Sequence, residues 1–145
     1  MFVVFEAFFV GTLAYAGLRG GAPERITALL FAIAYFLSLA QHAAHMNEFD
    51  KVNIGLFLVD LGLFAALYLL SLFTTRFWPI WMCAMQGVDV LTHLLPLIEP
   101  GPGYGYAIMV QFWAYPMQAL LIVATWRHRR RLERDGTDPA WVRTL

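Results

Sequence analysis

Run length constrains this chain more than any other feature. A helix that crosses a bilayer needs about 20 predominantly apolar residues. The sequence offers five such stretches: Phe2–Leu18, Ile26–Met46, Asn53–Phe73, Trp78–Ile98 and Gly105–Trp126. Composition points the same way, with 60% hydrophobic and 14% charged residues, where soluble domains average about 45–50% and about 25%. The expected fold is an all-α integral membrane bundle of five helices: residues 1–126 form the bundle and 127–145 a short basic tail, with no soluble domain. Gly20-Gly21-Ala22-Pro23 and Glu99-Pro100-Gly101-Pro102-Gly103 separate the spans they join, as turn-forming clusters do. Asn47–Val52 and Thr74–Phe77 are short polar turns, which make consecutive helices antiparallel neighbours. Pro79 falls at the first helical position of its span, where a missing N–H is harmless, and Pro116 falls inside the fifth, where it predicts a kink.

Several function classes drop out at once. Ten Lys+Arg balance ten Asp+Glu, so no global basic field attracts nucleic acid. One cysteine, Cys83, excludes a disulfide framework, a Cys-rich zinc site and intramolecular dithiol chemistry; it reads as a small buried hydrophobe. Ser38 and Ser71 lack the G-x-S-x-G elbow of a nucleophilic serine. Ala14-Tyr15-Ala16 resembles a small-residue cleavage site, but no basic n-region precedes the apolar run, so the first stretch is read as a retained span.

Basic residues give the expected direction, because basic loops stay cytoplasmic. With the C-terminus inside, Arg19, Arg25, Arg76, Arg127, Arg129, Arg130, Arg131, Arg134 and Arg143 are all cytoplasmic and only Lys51 is outside. The expectation is an N-out, C-in protein of the cell inner membrane, with Trp78, Trp81 and Trp126 in the inner aromatic belt. The run Arg127-His128-Arg129-Arg130-Arg131 also suits contact with anionic lipid, although a stop-transfer flank explains it as well.

Polar residues inside the spans then acquire depths. At a rise of about 1.5 Å per residue, His42 lies about 6 Å below the outer end of its span, His93 about 7–8 Å and Asp89 about 13 Å. Asp60 lies about 10 Å down, Gln111 about 9 Å and Glu6 about 6 Å. All fall in the extracytoplasmic half, and the inner half of every span reads as nearly pure apolar. His42 and His45, at i and i+3, share a face; Gln86, Asp89 and His93 form one stripe, and Gln111, Tyr115 and Gln118 another. Strongly polar groups in hydrocarbon each cost about 2.5–3.5 kcal/mol on insertion scales, so they turn toward one another, a cofactor or water.

Imidazoles and carboxylates at a common depth suit a transition metal such as Zn, Fe or Mn. The expected ligands are His42, His45, His93 and Asp89, with Asp60 as a fifth ligand or hydrogen-bond anchor. Glu6, Gln86 and Gln111 would stand behind them and orient them. The plainer alternative is interhelical hydrogen bonding that fixes packing. Haem between His42 and His93, or a quinone pocket, is a further possibility, opposed by the nearby carboxylates. A different class of reading makes the chain a non-catalytic accessory or scaffold subunit of a larger respiratory, photosynthetic or transport complex, or a homo-oligomer.

Overall fold

A computed structural model describes residues 2–44, 54–94 and 112–141. Among them the chain is all-helical: α1 is Phe2–Arg19, α2 Ala22–Ala44, α3 Ile54–Phe73, α4 Trp78–Thr92 and α5 Ala114–Asp135. Helices consecutive in the chain pack together from α1 to α4, and α5 closes the bundle against α1, with smaller contacts to α4 and α2. The α3–α4 pair is the most extensive. Gly87 lets it close: a Cβ there would stand 3.1 Å from the Phe64 ring, tighter than ordinary van der Waals contact.

The core is a column of Phe9, Ala16, Ala28, Phe31, Leu67, Met82, Cys83, Met117 and Leu121. Cys83 is thus the buried hydrophobe its setting suggested. Three buried threonines solve their hydroxyl problem within their own helices. Thr12, Thr27 and Thr125 donate to the carbonyls of Phe8, Pro23 and Leu121, four residues back, at 2.8, 2.9 and 2.9 Å, so each is buried without a partner helix.

Large apolar side chains also cover the outside. Leu58, Leu61, Leu69, Leu72 and Phe73 of α3 are exposed, and only 17% of the Ile54–Phe73 window is buried within the bundle. Ala22–Gln41 and Ile54–Phe73 are each long and apolar enough to cross a membrane.

Four local expectations change. The second helix starts at Ala22, ahead of the expected Ile26, because Pro23 fits the first turn and needs no amide partner there. Pro116 stands in the first turn of α5, not inside a longer described helix, so it removes no intrahelical bond; residues 105–111 and 95–100 lie outside the described residues. The basic stretch after Trp126 is not a free tail. It continues α5 to Asp135, where Gly136 (φ 71°) takes the left-handed cap and donates to the Leu132 carbonyl at 3.0 Å. Last, the helices reach past the expected spans at the basic end, so that Glu24 and His128 are buried beside Thr27 and Thr125.

Beyond Gly136 the chain folds back on the α3–α4 turn. Thr74 and Trp141 form an antiparallel bridge, and the Thr75 amide donates to the Ala140 carbonyl at 3.1 Å. The Thr74 and Thr75 hydroxyls donate to the carbonyls of Ala140 (2.7 Å) and Pro139 (2.9 Å).

Candidate functional site

The α3–α4 contact gathers polar residues from both helices. Asp60, on α3, presents one carboxylate oxygen to Gln86 of α4 and the other to His93, which caps the C-terminus of α4. His93 Nε2 lies 2.7 Å from Asp60 Oδ2, and Gln86 Nε2 donates to Asp60 Oδ1 and to the Asp60 carbonyl, both at 3.3 Å. Gln86 and His93 are seven residues apart, two helical turns, so they flank Asp60 from one face. Asp89 lies between them on that stripe and is buried, and its Oδ1 has no hydrogen-bond partner among the described residues. The Thr92 hydroxyl donates to the Asp89 carbonyl oxygen at 2.6 Å. Phe57 covers His93 edge-on at 6.0 Å between ring centroids. The result is an imidazole fully shielded from solvent between a carboxylate and an aromatic ring, with a second buried carboxylate on its own helix.

The structure therefore brings Asp60, Gln86, Asp89 and His93 to one helix pair. Glu6 does not join them: it is exposed on α1, which packs on α2 and α5. His42 belongs to α2, but its side chain, like His45 and Gln111 altogether, lies outside the described residues. Among the described residues no group of three His, Cys, Asp or Glu side chains is arranged to hold a metal ion. Of the stripe on α5, Tyr115 packs edge-on to Phe5 at 5.3 Å. Gln118 is buried, and both its amide atoms lack partners among the described residues.

A second polar centre, at the basic end, escaped the reading of the sequence. Asp138 gathers three groups: Arg76 from the α3–α4 turn, Arg131 Nε at 2.9 Å and His128 Nδ1 at 2.6 Å. Arg76 also donates to the Asp138 carbonyl at 3.1 Å. Burial pushes the Asp138 carboxyl up, but hydrogen bonds from Arg76, Arg131 and His128, with the Arg76 charge, outweigh it and hold the group at about 2. Next to this hub Glu24 is fully buried. Its Oε1 accepts from the Trp78 indole N–H at 3.2 Å, and its Oε2 has no partner among the described residues. Gly21 makes room for both acid and imidazole: a Cβ there would lie 2.8 Å from His128 Cε1 and 3.0 Å from Glu24 Oε2. No local signal announces this centre, because Arg76 and Asp138 are 62 residues apart and neither belongs to a motif.

Asp60, Gln86 and His93 form a hydrogen-bonded group across the α3–α4 contact, whereas the Asp138 hub ties the C-terminal segment to the α3–α4 turn and α5. Comparison with protein-family models, with curated proteins and with solved structures finds no match to this chain.

Proposed function

We propose that this chain is a multi-pass protein of the cell inner membrane, with five spans, N-out and C-in, whose Asp60–His93–Asp89 centre binds a transition-metal cation in the extracytoplasmic half. The observation that carries the reading is the pairing of His93 with Asp60 at 2.7 Å beside the buried, unpartnered Asp89 Oδ1. Two carboxylates and an imidazole supply the mixed N/O donors that a divalent transition metal accepts, and such an ion would offset the cost of holding carboxylate charge in a low-dielectric interior. Carboxylate–imidazole pairing is also how ligating histidines are held in orientation. His42 and His45 complete the proposed ligand set, and Gln86 steadies Asp60. The membrane setting is supported by the apolar exterior of α3 and by the nine-to-one division of basic residues.

One observation favours a second reading, that of an accessory subunit of a larger membrane complex. Asp60, Gln86 and His93 already satisfy one another, as interhelical packing groups would. Metal analysis of the purified protein with a visible spectrum separates the two. The metal reading expects a stoichiometric ion that His93→Ala loses while the protein still inserts. An ion retained in the His42→Ala, His93→Ala double variant, or a wild-type protein without metal or colour, overturns it and leaves the subunit reading.

A further inference from the structure

We propose that Arg19, Arg25, Arg127 and Arg130 form a collar that binds the phosphate headgroups of anionic phospholipids in the inner leaflet. The membrane setting rests on the proposed topology; the choice of residues rests on how the structure sorts the arginines. Arg76 and Arg131 are committed to Asp138. Arg129 faces Glu133 at 3.7 Å, and Arg134 grips Asp135 at 2.8 and 2.9 Å. Arg19, Arg25, Arg127 and Arg130 remain, all exposed and without a carboxylate partner among the described residues.

Three helices bring these four to one end. Arg19 closes α1 and Arg25 lies in the first turn of α2, on either side of the Gly20-Gly21 turn. Gly21 is pressed against His128 of α5, and Arg127 and Arg130 flank that histidine in sequence. The one carboxylate beside Arg25 cannot neutralise the collar, because Glu24 turns inward, fully buried on Trp78. Lipid fits better than a soluble anion because apolar surface lies directly beside the charges. Leu18, Ile26, Val123 and Trp126 are exposed within about one turn of the arginines, and the Trp126 ring carries the Arg130 guanidinium at 4.6 Å. Guanidinium forks match phosphate oxygens, and an indole beside them suits the headgroup layer.

The test is lipid retention by the full-length protein. It is reconstituted in equal parts phosphatidylglycerol and phosphatidylcholine, then extracted, and the lipid that remains bound is quantified. Wild type is expected to enrich phosphatidylglycerol, and each arginine replaced in Arg19→Gln, Arg25→Gln, Arg127→Gln and Arg130→Gln variants to lower that enrichment by about fivefold. Arg127→Lys with Arg130→Lys should keep most of it, and Arg134→Gln all of it. No preference in wild type overturns the collar without needing any variant to fold. Equal retention in the Gln variants, or displacement of the lipid by millimolar inorganic phosphate, also overturns it. A topology reporter after Leu145 separates the two layers. A cytoplasmic signal with no lipid preference removes the collar alone, whereas an extracytoplasmic signal removes the topology and the inner-leaflet collar with it.

Discussion

Replacing Asp138 by Asn should unfasten the C-terminal segment from the α3–α4 turn while leaving the helices packed. The carboxyl is held at about 2, against about 3.9 for an aspartate in an open chain. At about 1.36 kcal/mol per unit, its charge contributes about 2–3 kcal/mol to the closed state. The sign follows from the direction of the shift. A depressed carboxyl stabilises fully above about pH 4, and the contribution is lost as pH falls toward about 2. The loss in Asp138→Asn should be at least that large, because Arg76, with 7% of its side chain exposed, keeps a buried charge without its counter-ion. Amide exchange at Thr75, whose N–H donates to Ala140, reports the opening. Corrected for intrinsic rate, it should accelerate by at least roughly 30- to 160-fold at neutral pH in the variant. In wild type the same acceleration should develop between about pH 4 and pH 2. Unchanged Thr75 protection in the variant, or a flat profile through that window in wild type, would refute the assignment of Asp138 as the fastening group.

Four further outcomes are expected. Gly21→Ala places a methyl 2.8 Å from the His128 ring and 3.0 Å from Glu24 Oε2; the Tm should reflect a loss of about 1–3 kcal/mol, as overpacking does, and an unaltered Tm would mean that the two side chains yield freely. Asp60→Asn should be the more destabilising of the two aspartate variants, by about 1–3 kcal/mol, because it disturbs the bonds to both His93 and Gln86. Asp89→Asn should leave thermal stability near wild type and instead lower metal content, since Asp89 Oδ1 has no hydrogen bond among the described residues to lose; the reverse order of stabilities would count against the described α3–α4 geometry. Gly87→Val should drive α3 from α4 through the Phe64 ring, 3.1 Å from the new Cβ, and expose His93 to a water-soluble imidazole reagent that leaves wild type unmodified.

Helix content and the approximate places of the helices were legible because they depend on local quantities: run length, glycine and proline punctuation, and apolar density. Sequence spacing also placed Gln86, Asp89 and His93 on one stripe of α4, since i, i+3 and i+7 define a face whatever the helix packs against. It could name Asp60 as a ligand or hydrogen-bond anchor but not say with which residues, because its own helix offers a polar neighbour only at Asn53, two turns away. Its partners come from α4, across an interface whose register no local pattern records. That register made Asp60 the centre of the hydrogen-bonded cluster and left Asp89 Oδ1 without a hydrogen bond among the described residues.

The basic end shows the same division more sharply. Charge counting read Arg76, Arg127, Arg129, Arg130 and Arg131 as equivalent, because a net-charge rule ignores partners. Asp138 distinguishes them by taking Arg76, Arg131 and His128, from positions up to 62 residues away in the chain. Apolar periodicity and the positions of charges act within a helical turn or along one loop, so the sequence alone determines where helices form and which faces are polar. Ion pairs and buried carboxylates depend on which elements meet and at what register. Only the tertiary structure decides that His93 meets Asp60, that Glu24 turns inward, and that the segment from Asp138 to Trp141 is tied to the turn between α3 and α4.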